Sequence, residues 1–188
     1  MRSLPVVPRP RGALASLVEA DIALFDRVAR AHTPWLDAGL PALSRSADHS
    51  FLWIAVSAGL AARGNAQAAV RGLASTAATS LVVNLVMKRA VRRPRPSLRS
   101  VPAARRARAM PLTTSFPSGH AASAAAFATG VAAELPAAAA PLGLLATAVG
   151  VSRVYVGVHY PLDVLVGAGV GAAMARAGIR ARSPRPAS

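Results

Sequence analysis

Two histidines, one aspartate and three cations fall in this sequence at spacings that suit transfer of a phosphoryl group. In SFPSGHAAS, residues 115–123, Ser118, Gly119 and His120 stand at the mouth of an alanine-rich run. A residue before proline avoids the helical region, so Phe116-Pro117 is expected to be extended and Ser118 to cap the next helix. The free backbone N–H groups of Gly119 and His120 then point out of the helix start, where the dipole favours an anion. A second helix start lies in SRVYVGVHYPLD: Pro161 suits the first helical position, Asp163 the first turn, and His159 stands just ahead. A spacing of four lets the Asp163 carboxylate reach one ring nitrogen of His159, which fixes the tautomer and leaves the other nitrogen free. His159 is therefore placed as a nucleophile and His120 as the acid. Lys88, Arg95 and Arg153 would neutralise the three non-bridging phosphoryl oxygens, with Ser118 and Gly119 completing the cradle. Of the seven acids, only Asp163 belongs to these clusters, and it is committed to His159. No metal and no other cofactor is expected.

These side chains need elements that bring them together. Hydrophobic residues make up 53% of the 188-residue chain and charged residues 15%, against about 25% charged in an average soluble domain. That composition calls for membrane helices and one core. The best span is 66–87, whose 22 residues at about 1.5 Å each cover roughly 33 Å, enough for a hydrocarbon core of about 30 Å. Further apolar runs lie at 51–62, 118–134, 137–152 and 161–175, giving about five spans, several short and rich in Ala and Gly, as in closely packed helices. Counting crossings puts the ends near 88, 118, 152 and 161 on one side of the membrane, so the three clusters can meet. Ahead of the spans, Leu14, Leu17, Val18, Phe25 and Val28 repeat at helical spacing through residues 14–30. An amphipathic interfacial helix fits, and a core-facing soluble helix would read the same way. Residues 1–13 and 179–188 are Pro/Arg/Ser-rich and are expected to be disordered.

The net charge of +15 demands an anionic partner. Nucleic acid is disfavoured, because it leaves the apolar spans unexplained and 4% aromatic residues supply no stacking platform. A transporter, or a basic membrane-binding protein without activity, explains the spans, but its polar residues belong near mid-membrane rather than at helix ends. The arginines Arg89, Arg92, Arg93, Arg105, Arg106 and Arg108 read as topology anchors, Trp35 and Trp53 as interface anchors, Arg71 as a residue that must snorkel or face protein, and His32 and His49 as surface residues.

Three pieces taken together are specific: KRAVRRPRP, with Lys88 and Arg95-Pro96; PSGH at 117–120; and SRVYVGVHYPLD, with Ser152-Arg153, His159 and Asp163. Their order and spacing resemble the signature of the type 2 phosphatidic acid phosphatase superfamily, over about residues 47–175. The resemblance implies a helical, metal-independent membrane lipid phosphatase occupying 47–178 behind interfacial helices at 14–46. It further implies a covalent phosphohistidine on His159 and a general acid in His120. LSRSADHSFLW, residues 43–53, is also similar to small actinobacterial members, some of which act on polyprenyl-phosphate sugars. That likeness implies an isoprenoid phosphate or a sugar carrier such as decaprenylphosphoryl-5-phosphoribose as substrate, with phosphatidic acid or phosphatidylglycerol phosphate as the alternative. Membrane lipids are the expected surroundings, and nothing in the sequence sets the oligomeric state. The familiar first span is replaced here by the amphipathic helix. Counting Lys/Arg, with nine in 88–117, places the site in the cytoplasm. The resemblance implies a site facing the extracytoplasmic leaflet of the bacterial plasma membrane, and that is the orientation expected.

Overall fold

A computed structural model describes residues 12–31, 33–107 and 110–182; the disorder expected at 1–11 and 183–188, and the roles given to His32 and Arg108, lie outside the described residues. Helices α1 (Ala13–Arg30) and α2 (Pro34–Ser46) are followed by α3 (Phe51–Ala62), α4 (Ala66–Val82) and the single turn α5 (Lys88–Ala90). The bundle is completed by α6 (Gly119–Ala132), α7 (Ala139–Tyr155) and α8 (Pro161–Arg182). No strand occurs among the described residues. Helix α8 runs four residues past the boundary expected at 178.

Helix α6 is the axis of the bundle and packs against α4, α7 and α8. Its sequence GHAASAAAFATGVA is small on every face, so three neighbours approach closely; Ala122, Ala124, Ala126 and Phe127 have no exposed surface. The seam with α8 is tightest. A Cβ at Gly167 would lie 2.5 Å from the Ser118 carbonyl oxygen, and one at Gly171 would overlap the Ala122 carbonyl. These two glycines fix how far α8 slides along α6, and with it the hydrogen bond from Ser118 N–H to the Asp163 carbonyl, 2.9 Å.

Three helical stretches are long and apolar enough to cross a membrane: Ala66–Ala90, Pro136–Tyr155 and Pro161–Ala181. The other two expected spans, α3 and α6, have 12 and 14 residues, about 18 and 21 Å at the usual helical rise. Helix α4 does not end as a plain α-helix. Val83–Met87 form a π-helical turn directly before Lys88, and the wider turn shifts the direction in which that side chain leaves the helix.

Several expectations about single residues change. Trp53 is no interface anchor: it is 1% exposed and its ring sits 4.9 Å from that of Phe127, because α3 turns this face into the core formed with α4 and α6. Trp35 is exposed. Arg71 faces protein, paired with Glu134. In α1 the buried stripe is Asp21, Phe25 and Ala29, while Leu14, Leu17, Val18, Ile22 and Leu24 are exposed, so the expected apolar stripe divides: Phe25 and Val28 pack into the core and the leucines do not.

Candidate active site

The start of α8 carries His159 in the turn that joins it to α7. Gly157, at φ +82°, makes that turn in a backbone region other residues rarely adopt, with Leu98 and Val101 packed where its Cβ would be. His159 and Asp163 are both buried, and Nδ1 of His159 lies 3.6 Å from Asp163 Oδ2. The spacing of four therefore brings ring and carboxylate together, though at ion-pair distance rather than in a short hydrogen bond. Asp163 is pinned from elsewhere: Oδ2 accepts from Tyr160 N–H at 2.9 Å, and Oδ1 from Arg93 at 2.8 Å. Burial holds the His159 imidazole down at about pKa 4; Asp163 pulls the other way, and the nearby cations Arg95 and Arg153 depress it further. The ring is thus neutral at neutral pH.

Arg95 covers the opposite edge of that ring, with one terminal nitrogen 3.5 Å from His159 Nε2. Its guanidinium donates to the carbonyls of Val158 at 2.7 Å, Thr113 at 2.9 Å and Thr114 at 3.2 Å, which clamps it flat against the motif loop. Lys88, the first residue of α5, reaches Thr113 Oγ1 at 3.3 Å. Ser118 caps α6 through Oγ, accepting from Ala121 N–H. A Cβ on Gly119 would sit 3.7 Å from Lys88 Nζ, so ammonium and helix start share one small space. Arg153 is buried and donates to Ser44 Oγ at 2.6 Å, while its Nε is a buried donor without an acceptor among the described residues. An unmet buried donor costs about 1–3 kcal/mol, a cost that a phosphoryl oxygen would relieve. Lys88, Arg95, Ser118, Gly119, His120, Arg153, His159 and Asp163 all gather at one end of the bundle.

Two acids missed in the sequence join them. Asp48, between α2 and α3, lies 2.9 Å from His120 Nε2 and 3.3 Å from Arg153; the bond from His120 holds its carboxyl below the usual carboxylate range. Asp21 of α1 accepts from Arg93 at 2.7 Å and from Leu162 N–H at 2.8 Å. The expectation that six of the seven acids stand away from the site is therefore wrong for these two. Arg93 is likewise no topology anchor: it bridges Asp21 and Asp163 and stacks 4.1 Å over the Tyr160 ring. Arg105 is buried on Asp37 and the Tyr155 ring. The signal for Asp48 was its place inside ADHS, a polar interruption directly before an apolar run. Asp21 and Arg93 carried none. Among the described residues, no three His, Asp or Glu side chains converge as metal ligands.

Gly119 gives a direct check on the cradle. A methyl there makes only ordinary contacts, 3.7 Å to Lys88 Nζ and 3.8 Å to Asn84 Oδ1, so Gly119→Ala should fold normally. It would nonetheless fill the space that an anion needs between ammonium and helix start. KM should rise about tenfold at unchanged thermal midpoint, the loss of roughly one hydrogen bond to a charged group. An unchanged KM would place the phosphate elsewhere.

The model of the PAP2 superfamily matches residues 69–186. The decaprenylphosphoryl-5-phosphoribose phosphatase of Mycolicibacterium smegmatis is 36% identical over 159 residues, covering 84% of this chain and 82% of that protein. The protein of the same name from Mycobacterium tuberculosis is 36% identical over 168 residues, 87% and 86% of the two chains. Among solved structures, the transmembrane PAP2-type phosphatidylglycerolphosphate phosphatase of Bacillus subtilis superposes with a TM-score of 0.69 at 25% identity, over 92% of this chain and 90% of that one. Aquifex aeolicus LpxE gives 0.63 at 25% identity, over 85% and 94%. Three motifs brought to one bundle end, and a family match that runs from α4 through α8, lead to one assignment: the chain belongs to the PAP2 superfamily.

Proposed function

We propose that the protein is a membrane lipid phosphatase that removes the terminal phosphate of a polyprenyl-phosphate sugar, of the decaprenylphosphoryl-5-phosphoribose type. The observation that carries the chemistry is the buried, neutral imidazole of His159, flanked by Arg95 and Arg153 and facing no metal-ligand set among the described residues. The substrate class rests on the relatives that share 36% identity over most of both chains.

In the first step, the lone pair of His159 forms the N–P bond as the P–O bond to the sugar breaks, and His120 gives its proton to the departing oxygen. Lys88, Arg95, Arg153, Ser118 and the Gly119 N–H hold the three remaining oxygens, where charge is spread in the transition state. In the second, water attacks phosphorus with His120 as base, the N–P bond breaks, and inorganic phosphate leaves. Asp163 stabilises the imidazolium character that develops on His159. Asp48 holds His120 in place.

Phosphatidylglycerol phosphate is the competing substrate, favoured by the likeness to the Bacillus subtilis phosphatase. Phosphate release by detergent-purified protein, measured side by side on a polyprenylphosphoryl ribose 5-phosphate, phosphatidylglycerol phosphate and phosphatidic acid, separates them; the ribose lipid should have the highest kcat/KM. Activity should survive EDTA and be inhibited by vanadate, a trigonal-bipyramidal mimic. Loss of activity in chelator with recovery on Mg²⁺ addition would overturn the mechanism.

Helices α3, α4, α6, α7 and α8 act as the five spans in this reading, with the exposed leucines of α1 lying in the headgroup boundary. The site faces the extracytoplasmic leaflet of the plasma membrane. Single cysteines at Ser100 and Ser183, in a chain that has none, test this with a membrane-impermeant maleimide on intact cells. Ser100 should label and Ser183 should not; the reverse pattern puts the site in the cytoplasm.

A further inference from the structure

A cavity of about 690 Å³ opens beside the site, between α2 and the loop that precedes α6. His120, Arg153 and Asp48 line its inner end, Arg45, Arg106 and Phe51 stand farther out, and His159 is not part of its wall. In-line transfer puts the leaving group on the far side of phosphorus from the nucleophile, next to the proton donor. A space that begins at His120 and excludes His159 is therefore the room of the leaving alcohol.

The charges of that room are lopsided. Asp48 is its single carboxylate among the described residues, already engaged by His120 and Arg153. Arg45, in the last turn of α2, and Arg106 are both exposed and form no ion pair among the described residues. The Nε of Arg106 is tethered to the Val101 carbonyl at 3.0 Å, which steadies the side chain and leaves its terminal nitrogens to donate. Two guanidinium groups on a cavity whose wall is otherwise largely apolar, with Pro41, Phe51, Pro111 and Val156, suit a phosphate attached to a lipid. The leaving alcohol of phosphatidic acid is an uncharged diacylglycerol and offers nothing to this pair. A sugar joined to its lipid through a phosphodiester offers one anion, a sugar's width from the phosphate being cleaved, and phosphatidylglycerol, the leaving alcohol of phosphatidylglycerol phosphate, offers one across a glycerol.

We infer that Arg45 and Arg106 form a second phosphate subsite, which selects substrates whose leaving group itself carries a phosphodiester, as that of a lipid-phosphoryl sugar does, over phosphatidic acid. The inference rests on the sugar-phosphate reading above and adds to it the residues that make the choice.

The test compares two compounds with the purified full-length protein: farnesylphosphoryl ribose 5-phosphate, and farnesyl ribofuranoside 5-phosphate, in which a neutral glycosidic bond replaces the bridging phosphodiester. KM for the first should be at least about tenfold lower, as expected for charge-assisted contacts, and the gap should narrow with added salt. Replacing both arginines, Arg45→Gln with Arg106→Gln, should bring the two KM values within about twofold of each other, the range left when surface contacts contribute little. Arg180→Gln, at the C-terminal end of α8, should keep the preference. Equal KM values in the unaltered protein, or a preference that survives the double replacement, overturns the subsite and leaves the sugar-phosphate reading standing. If neither ribose compound is hydrolysed while phosphatidic acid is, that reading and the subsite fall together.

Discussion

His159→Ala should abolish turnover, by at least about 10⁴-fold, because the reaction loses its nucleophile and not merely a contact. No phosphate should remain on the denatured protein after a rapid quench with radiolabelled substrate, whereas the unaltered protein should carry an acid-labile phosphoryl group. The pH profile reports on the same residue. A histidine attacks only when neutral, and burial holds this one at about pKa 4, below its ordinary 6.5. A lowered pKa extends the neutral form toward acid. After correction for the second ionisation of the substrate phosphate, near pH 6, the acid limb of kcat/KM should therefore fall close to pH 4 rather than 6.5. Near-normal activity in His159→Ala would sink the covalent mechanism, and an acid limb at 6.5 would mean that the ring is solvated in the working enzyme.

Asp163→Asn should lower kcat by about 10²- to 10⁴-fold. The carboxylate lies 3.6 Å from His159 Nδ1, so its influence is one of charge and orientation more than of a short bond. Asparagine has nearly the same shape but no charge for the developing imidazolium. It meets a second difficulty, because both carboxylate oxygens accept from donors, Arg93 at 2.8 Å and Tyr160 N–H at 2.9 Å. An amide can accept at one of those positions only; at the other its NH₂ faces an N–H. A loss of tenfold or less in kcat would mean that Asp163 serves chiefly to cap α8.

The residues proposed to react could be picked out together because each motif is local. Ser118 and Gly119 at one helix start, and His159 four residues before Asp163 at another, depend on turns and caps that the sequence spells out within a dozen residues. The three helices long and apolar enough to cross a membrane were legible for the same reason, since hydropathy is a property of a run. Pairings across the chain were not. Asp48 reaches His120 over 72 positions and Asp21 reaches Arg93 over 72, distances at which no spacing rule operates. Composition misled in the basic loop as well. Nine like charges suggest solvated anchors, yet the side chain of Arg105 is 2% exposed and that of Arg93 is 16% exposed. Which arginines fold inward depends on Asp37, Asp21 and two tyrosine rings, all contributed by other elements. Trp53 shows the limit of hydropathy itself, which scores a side chain facing lipid and one facing Phe127 alike.

The bridge from Asp21 through Arg93 to Asp163 also sets an order of events during synthesis. Asp21 precedes Arg93 by 72 positions and Asp163 follows it by 70, and Arg93 holds both, with Asp21 also closing on Leu162 N–H. A chain whose helix α8 has not yet packed lacks the Asp163 end of this bridge and also the Asp163 carbonyl that accepts from Ser118 N–H. A chain shortened by its first helix keeps every motif and loses the strut behind Asp163. The bridge therefore closes only once α1 and α8 have both packed against the loop that carries Arg93.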